Sequence, residues 1–257
     1  MAEWFVWDEN FELNVSRDKV RGAYHIIKFG NNNDVDGSME TIWDGGGLYT
    51  YLSSAATVTV TSTDSDDSET GTGARTVTVE GLDENFEQVS ETLTVGGSAG
   101  NVEFYRVFRA FVASSGSSGS NEGTISVSSG GTTLAQIRAV GSPTASGLGQ
   151  TFMALYTVPA GYTGYIFDWN VSTAKADGDV FLVKRLSDDG AWRAQDTIHT
   201  NQNDVERTYK FPLKIEEKAD IEVRALSATN NMKCAATFSI LLVKEPVLVY
   251  NNNFAGG

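Results

Sequence analysis

The sequence has one cysteine, Cys234, four prolines and two histidines in 257 residues. A single cysteine excludes an internal disulfide framework and any spaced thiolate pair for zinc. Between "NMK" and "AATFSILL", Cys234 reads as a small buried hydrophobe. The scarcity of histidine limits imidazole chemistry: His25, in "GAYHIIKFG", and His199, in "DTIHTNQ", fall in different predicted domains, and each reads as a satisfied structural residue. No stretch approaches the roughly 20 apolar residues of a membrane span. The opening "MAEWFVWDENFE" lacks a basic segment followed by an apolar run, so no secretion signal is expected and the chain reads as a soluble protein made in a cytoplasm. Basic residues are also few, 19 against 33 acidic ones for a net charge of −14. That balance argues against nucleic acid and anionic membranes as partners, because phosphate contacts need clustered Lys and Arg.

Helical patterns are scarce too. From Thr57 onward, short segments rich in Val, Thr, Ile and aromatics alternate with Gly, Ser, Asn and Asp, the pattern of antiparallel β structure. "ATVTVTS" (56–62) and "RTVTVEG" (75–81) each fit a half-buried strand, joined by "TDSDDSETGTGA" (63–74), read as a long exposed hairpin loop. In "QVSETLTV" (88–95), Glu91 shares a face with Val89, Leu93 and Val95, which marks a sheet edge or a bulge. "NVEFYRVFRAFV" (101–112) is apolar on both faces, with Phe104 and Phe108 on one side and Tyr105, Val107 and Phe111 on the other, and predicts a central strand or a contact surface. "ASSGSSGSNEG" (113–123) reads as a loop, since strand alternation resumes at "TISVSSGGTTLAQI" (124–137).

A length of 257 residues allows one large core or two smaller ones. We place a boundary in "GSPTASGLG" (141–149), after which strands recur at roughly 10-residue spacing, as in a β-sandwich of jelly-roll type. In "YTGYIFDWNVST" (162–173), Tyr165, Phe167, Trp169 and Val171 should share one face. The expectation is an all-β chain of two antiparallel β-sandwich domains, residues 29–142 and a jelly-roll-like 150–257. Residues 1–28, with four large aromatics in "WFVWDENFELNV", precede them as an N-terminal arm or edge strand.

A search for chemistry finds no catalytic constellation. Asp64, Asp66 and Asp67 offer hard oxygen ligands, but Ser68 and Glu69 break the calcium-loop pattern, and a solvated loop is favoured. "GTGARTV" and "GGGLY" precede strands, whereas a phosphate-cradling loop must open a helix. "GSSGS" lacks the strand-to-helix elbow of a hydrolase. Nothing favours a particular carboxylate pair for glycoside cleavage. No metal, no cofactor and no enzymatic activity are expected. Trp7, Trp43 and Trp192 are candidates for stacking on sugar rings, with core packing or subunit contact the preferred role. "NVS" at Asn14 and Asn170 matters only in a secretory pathway. The densest stretch, "FGNNNDVDGSMETIWDGGGLY" (29–49), combines residues that tolerate positive φ with Trp43 and Tyr49. It reads as a tight-turning assembly arm pinned by those two rings against a sheet or a neighbouring subunit.

Taken in order, "KFGNNNDVDGSMETIWDGGGLY", "GTGARTVTVEGLD", "FYRVFRAFV" and "GSNEGTI" resemble a family of virion proteins of tailed bacteriophages, over Gly22 to Ile125. "YTVPAGYTGYI" is similar to the start of β-sandwich modules in phage structural and fibre proteins. The resemblance implies a non-catalytic virion component, made in the host bacterial cytoplasm, at a decoration, collar, tail or fibre position. Its partners would be its own copies in a symmetric oligomer and other virion proteins of the capsid, portal or collar, or tail. The alternative is a receptor- or carbohydrate-binding module gripping a host surface glycan. Trp4, Trp7, Trp43, Tyr49 and Phe108 are the expected assembly contacts.

Overall fold

The computed structural model describes residues 10–139, 148–174, 176–186, 190–228 and 231–244. A short helix α1 (Phe11–Ser16) comes first, and the Asn10 side chain caps it by accepting from the Glu12 and Leu13 N–H groups. Among the described residues fifteen strands follow: β1 (Ala23–Val35), β2 (Glu40–Thr41), β3 (Thr59–Ser62), β4 (Ala74–Leu82), β5 (Gln88–Thr94), β6 (Arg106–Ser115), β7 (Ile125–Ser129), β8 (Thr132–Ile137), β9 (Leu155–Thr157), β10 (Tyr162–Thr173), β11 (Ala176–Leu186), β12 (Arg193–Asn201), β13 (Asp204–Ile215), β14 (Ala219–Ser227) and β15 (Met232–Lys244). The all-β expectation holds, and every pairing between strands is antiparallel.

One sheet runs β1-β15-β10-β13; the other runs β12-β11-β14, with β9 and β2 sharing the far edge of β14 end to end. Setting β2 aside, the eight strands in chain order occupy the places first, eighth, third, sixth in one sheet and second, seventh, fourth, fifth in the other. That order is a jelly roll. Its opening strand, β1, comes from far upstream and pairs along β15 from Ala23↔Val243 to Val35↔Met232. Strands β3 to β8 are inserted between β2 and β9 and form two three-stranded sheets, β3-β7-β8 and β5-β4-β6.

The strands therefore do not divide at residue 29. Residues 23–35 form the single edge strand β1 and residues 40–41 form β2, and by pairing with β15 and β14 both lie in the jelly roll. Trp4 and Trp7, and residues 141–147 of the expected boundary, lie outside the described residues. Buried side chains of the insert and the jelly roll form one continuous apolar cluster, from Val58, Val77 and Phe104 to Trp169, Val223 and Phe238.

Three local expectations change. In β10 the buried row is Ile166, Trp169 and Val171, because a bulge at Phe167 and Asp168 shifts the register against both neighbours and turns Phe167 outward. Strand β6 is the outer strand of its sheet, yet 149–151 closes its free side through Val112 N–H to Gly149 O (2.7 Å) and Thr151 N–H to Ala110 O (2.9 Å). The 63–74 loop is anchored rather than freely solvated. Asp67 is buried and accepts from Ser62 Oγ, Ala74 N–H, Glu122 N–H and Gly123 N–H, which ties this loop to the Gly/Ser segment at 121–123. Glu91 does lie on an edge strand, where it accepts from Asn101 and Val102 N–H.

Gly30 shows how tightly β1 is held. A Cβ there would lie 2.1 Å from Ile42 O and 2.3 Å from Ala154 N, the pair whose hydrogen bond joins the 42–43 segment to the chain returning from the insert. Because backbone on both sides blocks the space, Gly30→Ala is expected to lower the unfolding free energy by about 1–3 kcal/mol or more; a urea denaturation midpoint equal to the parent's would contradict the close approach.

Candidate functional site

The densest concentration of charge and aromatic rings lies where the insert meets the jelly roll. Strands β6 and β14 bring Arg106 and Asp220 together, and both are buried. Arg106 grips the carboxylate through two bonds, Nε to Oδ1 at 2.9 Å and Nη2 to Oδ2 at 3.2 Å. Arg185 of β11 donates Nε to Oδ2 at 3.0 Å, and Thr157 of β9 donates Oγ1 to Oδ1 at 2.6 Å. Two donors on each oxygen saturate the carboxylate, which makes its burial tolerable. Burial alone would lower the Arg106 pKa, but the Asp220 contacts hold it above its ordinary value.

Aromatic faces enclose the arginines. The Arg106 guanidinium lies 4.1 Å from the Tyr105 ring centre and 4.9 Å from that of Tyr51, while Arg185 lies 4.5 Å from Tyr51 and 4.8 Å from Trp192. Arg224 stacks on Trp192 at 4.0 Å and donates to buried Glu222 at 2.7 Å. Thr41 Oγ1 donates to the same Glu222 oxygen at 2.8 Å and accepts from Tyr49 N–H at 2.9 Å. Trp192 is thus engaged with arginines, not presented as a bare sugar platform.

The 29–49 stretch is built into this junction. Trp43 donates its indole N–H to Gly46 O (3.0 Å) and meets Tyr49 edge to face. The Tyr49 hydroxyl lies 2.9 Å from Val107 O and 3.0 Å from Leu134 O, both in the insert. Trp43, Tyr49 and Phe108 expose only 4%, 6% and 9% of their surface, so the first two pin the loop to the chain's own sheets and Phe108 packs on Tyr156. The turns come from Gly46 and Gly47 at positive φ; Asn31 to Asn33 stay in the extended β1, with Asn32 buried and donating to Glu40. Nearby Asp44 accepts from Phe152 N–H and Arg138, and burial raises its carboxyl pKa to about 6 against those contacts.

The remaining candidates do not converge. His25 lies on the first jelly-roll sheet, and His199 lies on the second, hydrogen-bonded to Asp179. Burial pushes the Cys234 thiol up to about 12, far from a reactive thiolate. Among the described residues, no three His, Cys, Asp or Glu side chains cluster as metal ligands, and no helix is long and apolar enough to cross a membrane. Sequence reading passed over Arg106, Asp220 and Glu222. The available signal was charge inside strands whose other residues are apolar, "FYRVF" and "ADIEV".

No family model matches the chain, and no curated protein does. Among solved structures, a chain of infectious bursal disease virus, Gt strain, aligns with 13% identity over 91% of this chain and 78% of that one, with a TM-score of 0.25. The VP2 subviral particle of the same virus aligns with 12% identity over 86% and 72%, with a TM-score of 0.23. Likenesses of that size carry no argument about function.

Arg106→Met leaves Asp220 with fewer cationic partners in a buried site and is expected to cost about 3–5 kcal/mol. Arg109→Met breaks an exposed pair with Glu80 and should cost under about 1 kcal/mol. Similar losses for the two variants in urea denaturation would contradict the special weight given to Asp220.

Proposed function

We propose that the chain is a non-enzymatic structural component of a tailed-phage virion, a capsid decoration or head- or tail-associated protein working through subunit contacts in a symmetric oligomer. The observation that carries this reading is where the charge and the apolar surface lie. The buried Arg106–Asp220 pair is used inside the fold, joining the insert to the jelly roll. Large apolar side chains are exposed on the β1-β15-β10-β13 sheet: Tyr24, Ile27 and Phe29 on β1, Phe167 on β10 and Phe211 on β13, with Ile27 56% and Phe211 80% exposed. Both β1 and β13 are edge strands, and exposed apolar side chains beside unpaired backbone edges favour association with another chain. The resemblance of residues 22–125 to phage virion proteins supports the same reading. Its partners are further copies of itself and capsid, portal, collar or tail proteins.

Mass spectrometry of purified particles, with immunogold labelling against the jelly roll, tests this. Label spread over the head with copies on the order of hundreds gives a decoration protein. Label at one vertex or on the tail with a few copies per particle gives a collar, tail or fibre component and brings the receptor- or glycan-binding alternative forward. Absence from purified particles overturns the proposal.

A further inference from the structure

A cleft of about 670 Å³ lies between β1 and the β5-β4-β6 sheet, with Gln150 and Thr151 of the segment that closes the edge of β6 in its lining. It falls in the size range of small-ligand sites. Lys28 enters it from β1 and is buried. Its ammonium donates to the Phe108 carbonyl and lies 5.5 Å from the centre of the Phe108 ring. An ammonium has three donors, and no carboxylate is within ion-pair distance among the described residues. A buried cation without a counter-charge is costly, and this one sits beside an open cavity.

The titratable groups around it are Glu80 from β4, Arg109 from β6, Tyr156 from β9 and His25 on its own strand. Glu80 is engaged by Arg109 at 3.3 Å, so Lys28 and Arg109 leave the cleft with a surplus positive charge. Burial first, then Arg109, lowers the Lys28 pKa to about 7, with Glu80 opposing. The remaining walls combine the rings of Phe108 and Tyr156 with the polar side chains of Gln88 and Ser90.

We propose that this cleft binds a small hydroxylated carboxylate of the hexuronic-acid type, its carboxylate pairing with the Lys28 ammonium and its hydroxyls meeting Gln88 and Ser90. A carboxylate supplies the missing counter-charge, and the ring's apolar face suits Phe108. This site is independent of the virion reading and survives if that reading fails.

The test is calorimetric titration of the full chain with glucuronate and, as the uncharged comparison, glucose. Glucuronate is expected to bind at pH 6 at least tenfold more tightly than glucose. Its affinity should fall by roughly tenfold per pH unit above 7, because the bound form requires a proton that free Lys28 then lacks. Lys28→Met should lose at least tenfold in affinity, and Arg109→Gln, at an exposed position, several-fold. Folding of the Lys28→Met variant is read separately. The native pKa of Lys28 lies below its unfolded value, so parent stability contains a component that rises between about pH 7 and 10. The melting temperature of the variant should lack that component. Glucuronate binding unchanged by Lys28→Met, equal binding of glucose, or no binding at pH 6 would each overturn the assignment.

Discussion

The fold depends on one carboxylate. Asp220 is the second residue of β14, between buried Ala219 and Ile221, and it is the point at which β6 of the insert, β9 of the returning chain and β11 of the jelly roll are joined. An isolated carboxylate there would be prohibitively costly. With four donors and stacked arginines around it, the same group fixes the insert in one position, since a small shift would leave a buried charge short of partners. Directionality is what apolar burial alone lacks: the continuous cluster between the two units supplies cohesion, and Asp220 supplies registration.

The remaining features follow from inserting one sandwich into another. The jelly roll must form its first sheet from a strand made before the insert and a strand made near the chain's end, β1 and β15, so its pairing is highly non-local. The chain must also leave and re-enter at almost the same point. Backbone crowding at Gly30, the Trp43↔Met153 bridge and the Ile42 to Ala154 hydrogen bond mark that crossing. The glycine- and asparagine-rich stretch is therefore the neck of the insertion. Its polar side chains satisfy backbone there, and Trp43 and Tyr49 close it.

Strand content was legible wherever alternation was clean, as at Val77 and Val79, because period-two burial needs only local sequence. The 157–173 segment shows the limit: one bulge at Phe167 reverses the phase, and nothing in "YIFDWNV" announces it. The jelly-roll character of the C-terminal half was readable from strand spacing, but the membership of β1 was not, since pairing between residues some 200 positions apart leaves no local trace. Asp220 and Arg106 were hidden for the same reason; 114 positions separate them, and each alone resembles an exposed charge on a strand. Trp43 was read as a pin against a sheet or a neighbouring subunit, and its burial places it inside the chain's own core.

The central claim is that the Asp220 junction makes insert and jelly roll one cooperative unit. Differential scanning calorimetry of the full chain tests it most directly. A single transition whose calorimetric and van't Hoff enthalpies agree is the predicted result. Two resolved transitions, one for the insert and one for the jelly roll, would contradict it.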